Sequence, residues 1–254
     1  MPSLTIVLIP GAWHVDSAMD ILSGQLQQRG FNTRTWGVSS VNRANVSIKD
    51  DTQAIRDGIL SPLIEEQGKD VLLYLHSYAG SPGGSVINGL SKAERLATGK
   101  QGGVMGLIYQ SAFVTQPGDV LLDLIGGTYT PWQVPNEETG LINVIDPKNV
   151  FYADVPEPLA SEAANQIGGQ SILTVKTPAG SASYQDEAYQ GRRVYLHTSQ
   201  DQALPLSVQN SLVSGSGVSW KEMTLHTSHS PFLSEPEKLA DIVEESIQAF
   251  SASF

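Results

Sequence analysis

The chain of 254 residues contains no cysteine. That absence excludes disulfides, thiolate zinc sites and cysteine nucleophiles, and leaves the compartment open. Charge is sparse, at 16% of residues, and one-sided: 15 basic against 26 acidic residues leave a formal net charge of −11. An acidic surface repels phosphate backbones, so nucleic acid is not an expected partner. No apolar run approaches the length of a membrane span. The N-terminal stretch MPSLTIVLIPGAWH has a short apolar run and no basic leader, and it reads as a first strand rather than a signal peptide. A cytoplasmic protein without a membrane partner is the expectation.

What is present has the pattern of an α/β protein. Hydrophobic residues make up 40% of the chain, ordinary for a globular domain. Short apolar runs predict strands at Leu4–Ile9, Phe31–Trp36, Val71–Leu75, Val104–Gln110, Arg193–Thr198 and Val218–Leu225. Helical segments separate them. Residues 47–66 open with Ser47-x-x-Asp50, a capping-box-like start, and Pro62 should kink the pattern that follows. Ser234 and Glu237 predict a capping box before a last helix buried through Leu239, Ile242, Val243, Ile247 and Phe250. Strands alternating with helices imply a mostly parallel sheet. Residues 91–103 are polar and predict an exposed excursion. Residues 115–190 hold no convincing buried strand, and a structureless loop of that length is implausible. They predict a small helical cap inserted between the core segments 1–114 and 191–254.

The stretch LLYLHSYAGSPGG, residues 72–84, runs from a buried strand straight into His76-Ser77 and then into small residues. Reactive groups collect at the carboxyl ends of parallel strands. A strand–serine–helix turn exposes the hydroxyl and gathers backbone N–H groups around it. Such a hydroxyl needs a histidine to take its proton and a carboxylate to orient that histidine. Of the five histidines, His76 is expected to be buried and structural, His197 to sit within a strand, and His14 to make packing or hydrogen-bond contacts. His229, in the loop before the last helix, is the expected base, with His226 the weaker alternative. Asp201, just beyond the fifth strand, is the expected acid, and Asp119, after the fourth, is its rival. Tyr78 and Ala12 are the expected oxyanion-hole amides. Gly11 leaves room for the oxyanion, and Trp13 forms pocket wall.

Together these residues resemble the α/β-hydrolase superfamily, in which Ser77, Asp201 and His229 stand in the expected chain order. The nearest likeness is the branch of small cofactor-free enzymes that includes plant methyl-ester esterases and hydroxynitrile lyases. IVLIPGAWH resembles its oxyanion loop, LHSYAG its nucleophile elbow, TSQDQALP its acid loop and SHSPFLSEPEKL its histidine loop. Leu75 and Ala79 stand where the elbow carries glycines. The resemblance implies six parallel strands under a cap.

A serine hydrolase acting on a small or medium apolar or aromatic ester or lactone is the leading expectation, with no metal or organic cofactor. A homodimer is compatible with the sequence. A lyase or a biosynthetic dehydratase or cyclase on the same scaffold is a second expectation, and a non-catalytic ligand-binding relative a third. In the lyases a threonine stands at the position of Gly11 and a lysine at that of Ser230, so both positions favour hydrolysis here. Phe113, Tyr129, Trp132, Phe151 and Tyr152 are the further aromatics offered to the pocket. Scattered aromatics are more often core than ligand contacts, and a pocket lined by several of them suits a small or medium apolar or aromatic ester.

Overall fold

The strands form where apolar and β-branched residues cluster, as described over residues 4–252 in a computed structural model. Residues 1–3 and 253–254, the ends of the expected core, lie outside the described residues. In chain order the strands are β1 (Leu4–Ile9), β2 (Asn32–Thr35), β3 (Asp70–His76), β4 (Gly103–Gln110), β5 (Gln133–Asn136), β6 (Leu141–Val144), β7 (Gln170–Ser171), β8 (Arg193–Thr198) and β9 (Lys221–Leu225). One six-stranded sheet has the order β2-β1-β3-β4-β8-β9. Every pairing in it is parallel. All residues of β3, β4 and β8 are buried, whereas β2 and β9 are polar and largely exposed. Burial on both faces demands a continuous apolar run, and an edge strand does not.

The chain runs from β1 outward to β2 and then returns to the other side of β1 as β3. That reversal opens a crevice at the carboxyl ends of β1 and β3. Ile9 pairs with Leu75, and His76 with Gln110, so the loops after β1, β3 and β4 leave the sheet side by side. The helix Pro236–Ser251 covers the sheet with Leu239, Ile242, Val243, Ile247 and Phe250 buried. A side chain at Gly106 would meet the Phe250 ring at 2.3 Å, so β4 and this helix are in close contact.

Three local expectations are corrected. Residues 91–103 are not simply an exposed excursion: Ser91 accepts the Glu94 N–H and caps the helix Lys92–Ala97, and Arg95 is buried. The last helix lacks the Ser234–Glu237 capping box. It starts at Pro236 after Glu235, because Ser234 already belongs to the preceding turn Pro231–Ser234 and a proline favours the first helical position. Residues 115–190 do contain strands. They carry the helices Leu121–Leu124, Pro147–Phe151, Leu159–Gln166 and Leu173–Lys176 together with the antiparallel sheet β5-β6-β7. These strands, two to four residues long, are too short to show as buried runs. The Ser47–Asp50 capping box is present, and beyond Ile55 the helix widens into π turns at Arg56–Leu60 and Pro62–Glu66.

Leu75 occupies the position where small residues are expected before the serine, and the structure shows how it fits. A Cβ on Gly83 would lie 2.5 Å from both Leu75 methyl carbons. The space that Leu75 needs is left by a glycine six residues past the serine. Gly83→Ala should therefore lower stability by about 1–2 kcal/mol, because overpacking outweighs the gain in helix propensity. The penalty should shrink in a Leu75→Ala background, as read by urea unfolding of the single and double variants. Additive losses would show that the two residues do not compete for this space.

Candidate active site

Ser77 follows the last residue of β3 with φ of 55°, a left-handed conformation that non-glycine residues seldom adopt. Close contacts enforce it. Gly11 has no side chain because Ser77 is there: a Cβ would meet the Ser77 Cβ at 2.6 Å and its Oγ at 3.1 Å. The space opposite Gly11 is thus filled by the serine itself and is not a free oxyanion pocket. On the other side, a Cβ on Gly80 would lie 2.3 Å from the Phe113 carbonyl oxygen. The Phe113 N–H donates to the Ser77 carbonyl at 3.0 Å, which ties the turn to the loop after β4.

Asp201 and His229 meet at the same sheet edge. The His229 Nδ1–H donates to Asp201 Oδ2 at 2.7 Å, with both side chains almost fully buried. The carboxylate is fixed by several other donors. Oδ2 also accepts from the Thr198 hydroxyl at 2.7 Å, and Oδ1 accepts the N–H groups of Ala203 at 2.9 Å and Leu204 at 2.8 Å. With Nδ1 donating, His229 Nε2 keeps its lone pair and can accept a proton.

The other candidates are engaged elsewhere. Asp119 accepts the Gln116 N–H at 2.7 Å within a local turn. His226 is exposed and bonds Ser199 and Gln200. His197, within β8, bonds Glu222 of the neighbouring β9 at 2.9 Å. His14 is buried; its Nδ1–H donates to the Ala12 carbonyl at 2.7 Å, and its Nε2 accepts the Tyr152 hydroxyl at 2.9 Å. His76 is buried as expected, yet it is closer to the site than a place across the strand implies. Its Nδ1 accepts the Gly11 N–H at 3.1 Å, its Nε2–H donates to the His229 carbonyl at 3.2 Å, and its ring centre lies 4.5 Å from that of His229. It joins the loop after β1 to the histidine loop.

Ser77, Ala12 and Tyr78 line one narrow cavity of about 40 Å³. Trp13, Phe113 and Trp132 form part of its wall, as do Phe151, Leu121, Ile125, Val175 and Leu204. The aliphatic members carry no signal distinguishing them from ordinary core. Tyr129 and Tyr152 are not in this wall. Tyr152 faces a separate cavity of about 240 Å³ with His14, and Tyr129 lies near Lys176, whose Nζ is 6.0 Å from the ring centre. Trp13 packs edge-on to Trp132 at 5.3 Å, and its indole N–H donates to the Ile142 carbonyl at 2.8 Å. Leu121, Ile125, Trp132, Phe151 and Val175, all from residues 115–190, thus share this wall with Ser77. Among the described residues no His, Asp and Glu cluster could hold a metal ion, and no helix is long and apolar enough to cross a membrane.

A parallel sheet with a strained serine at the switch point, and a buried aspartate–histidine pair in loops that leave the same carboxyl edge, is the arrangement of an α/β-hydrolase. The model of the alpha/beta hydrolase family matches residues 6–242, and the chain belongs to that family. It is 26% identical over 244 residues to the alpha/beta hydrolase nvfD of Aspergillus novofumigatus, covering 94% of each chain. It is 24% identical to a pyrethroid hydrolase of Sphingobium wenxiniae, over 94% of this chain and 86% of the relative. Among solved structures, a pyrethroid hydrolase of Sphingobium faniae superposes with a TM-score of 0.73 at 21% identity, over 99% of this chain and all of that one. The methylesterase MES16 from Arabidopsis superposes at 0.67 with 17% identity, over 96% and 99%.

Burial lowers the His14 pKa from 6.5 to about 4, with the Ala12 hydrogen bond opposing and the nearby His229 assisting. Burial likewise holds His76 well below the ordinary histidine value. Between pH 6.5 and about 4 the unfolded chain takes up protons that the folded chain refuses. Stability is therefore full above pH 6.5 and falls with pH through that window. His14 alone should account for a loss approaching about 3 kcal/mol. Urea unfolding at a series of pH values should show that decline, and His14→Gln should flatten it; an unchanged slope in the variant would assign the decline to other groups.

Proposed function

We propose that the protein is a serine hydrolase that cleaves a small or medium apolar or aromatic ester or lactone through an acyl-enzyme. The observation that carries this reading is the buried Asp201–His229 pair at the sheet edge where Ser77 is held in a left-handed turn. Ser77 Oγ attacks the carbonyl carbon and passes its proton to His229 Nε2. Asp201 holds the imidazole in the tautomer that can accept it. The negative charge that develops on the carbonyl oxygen is met by the amides of Ala12 and Tyr78. His229 then gives the proton to the leaving alcohol, which in a lactone remains attached to the acyl chain. A water attacks the acyl-serine with His229 as base, and the carboxylic acid departs.

The amides of the loop after β1 support the oxyanion assignment. Gly11 gives its N–H to His76 and Trp13 gives its N–H to Gln170, while Ala12, between them, lines the cavity with Ser77. The apolar wall supports a substrate without charge. No lysine or arginine lines the cavity, and the residue after His229 is the neutral, buried Ser230. Expulsion of an anion such as cyanide would find no fixed cation there. The names carried by relatives, a pyrethroid hydrolase, a methylesterase and an esterase, agree with ester cleavage. The narrow cavity, walled in part by aromatics of residues 115–190, supports a role for this segment as a cap that selects substrate.

Short-chain p-nitrophenyl esters should be hydrolysed by the wild type, and Ser77→Ala should abolish turnover. A fluorophosphonate should label Ser77. Asp201→Asn should lower kcat by roughly 10³–10⁴, the scale expected when the histidine loses its orienting carboxylate. Labelling of another serine, or full activity of Ser77→Ala, would remove the nucleophile assignment; cyanide release from mandelonitrile without esterase or lactonase activity would replace hydrolysis with lyase chemistry.

A further inference from the structure

Asp51, on the helix Ile48–Ile55, is a carboxylate with no exposed surface. Among the described residues it forms no ion pair, in contrast with the buried Asp70, which meets Lys92 at 2.9 Å. Burying such a group is costly unless donors surround it. Here they do. Oδ2 accepts the Tyr78 hydroxyl at 2.7 Å and the Ser40 hydroxyl at 2.5 Å, and Oδ1 accepts the Ser40 N–H at 3.0 Å. A carboxylate only accepts, so the Ser40 hydroxyl hydrogen is committed to it and the Ser40 lone pairs face outward. They take the Gln170 amide N–H at 2.7 Å. The same nitrogen donates to Thr174 Oγ1 at 3.2 Å, whose own hydrogen goes to the Ser171 carbonyl at 2.7 Å. The orientation of the Gln170 amide follows, and its Oε1 accepts the Trp13 N–H at 3.1 Å.

Two chains of donors thus end on one carboxylate. One runs from the Trp13 amide through Gln170 and Ser40, and the other comes directly from Tyr78. Trp13 is the neighbour of Ala12, and Tyr78 itself supplies the second oxyanion amide. On the opposite side of Ala12 the Gly11 N–H is fixed by His76. Bonds that all run in one direction reinforce one another in a dry interior. Burial raises the Asp51 carboxyl above its usual range, while the Ser40 and Tyr78 bonds pull it back.

We propose that Asp51 is a positioning residue that sets the two oxyanion amides, holding Tyr78 through its hydroxyl and the Ala12–Trp13 peptide through Ser40 and Gln170. The proposal rests on the reading of Ser77 as nucleophile and of Ala12 and Tyr78 as its oxyanion hole. Asn at position 51 keeps the shape and replaces one acceptor by a donor, which reverses part of the chain. Phe at position 78 removes the direct link and leaves the backbone amide in place.

The test compares wild type, Asp51→Asn, Tyr78→Phe and the double variant. The readouts are kcat, KM and inhibition by a trifluoromethyl ketone, which forms a tetrahedral oxyanion adduct with the serine. Each single variant is expected to lose roughly 10–100-fold in kcat, less than full loss of an oxyanion donor would cost. KM should stay within about twofold, and the ketone should bind more weakly by the same factor as kcat, because the loss falls on the transition state. The double variant should be no worse than about the poorer single, since both cut one unit. Should Asp51→Asn not fold, Ser40→Ala, which keeps the carboxylate and the Tyr78 bond, is measured in its place with the same expectation. Folded variants that keep kcat and ketone affinity, or losses that multiply in the double variant, would overturn the positioning role while leaving hydrolysis intact. A wild type that neither turns over esters or lactones nor binds the ketone would overturn the functional reading and this inference with it.

Discussion

The backbone of Ser77 is the constraint on which the rest of the site depends. A left-handed serine at the end of a buried strand is costly and persists only where its surroundings leave no alternative. Those surroundings are Gly11 against its side chain, Gly80 against the Phe113 carbonyl, and the Phe113 N–H on its own carbonyl. The strain is held by backbone from three adjacent parallel strands. Their shared register brings the loops after β1, β3 and β4 to one edge, so the sheet order is also the condition for the turn.

Most of this architecture was legible because it rests on local chemistry. The four inner strands announce themselves as short apolar runs, the edge strands β2 and β9 are more polar, and β3 ends visibly on His76-Ser77. Asp201 and His229 could be placed because each follows a strand, and parallel strands send such loops to a common edge. What stayed hidden depends on contacts distant in the chain. Nothing local to Gly83 says that it receives Leu75. At Ser234 two local signals compete, a capping-box spacing to Glu237 and Pro236 as a first helical residue, and only the preceding turn Pro231–Ser234 decides between them. The strands β5 to β7 are only two to four residues long, and even β6, which reads Leu-Ile-Asn-Val, is too short to stand out from loop. Tyr152 and Tyr129 look like Trp132 and Phe113 as residue types, and only the packing puts the first pair outside the serine cavity and the second pair in its wall.

The covering segment is fastened to the core at the same point where the proposed chemistry occurs. Gly168 donates its N–H to the Trp13 carbonyl at 2.8 Å, Gln170 takes the Trp13 N–H, and the Trp13 indole bonds Ile142. Trp13 itself has a φ of 64°, so its peptide is held in an uncommon conformation from both faces. A movement of residues 115–190 large enough to admit substrate to a cavity of about 40 Å³ would pull on this residue. In the proposed reaction, access and oxyanion geometry would then be coupled through Trp13 and its two neighbouring amides.

Three imidazoles packed in series raise the question of which takes the proton in the proposed reaction. The ring centres of His14 and His76 are 5.5 Å apart, and those of His76 and His229 are 4.5 Å apart. All three are buried, and a charge on one opposes a charge on the next. The partners decide the matter. Protonating His76 on Nδ1 would break its bond from the Gly11 N–H, and protonating His14 on Nε2 would leave two donors facing each other until the Tyr152 hydroxyl turned away. Neither has a carboxylate. His229 alone places its Nδ1–H on a buried anion, which fixes the tautomer whose Nε2 takes the proton in the proposed reaction. The neutral pair beside it then acts as fixed hydrogen-bonding scaffold, aligning the loop after β1 and the histidine backbone without competing for the proton.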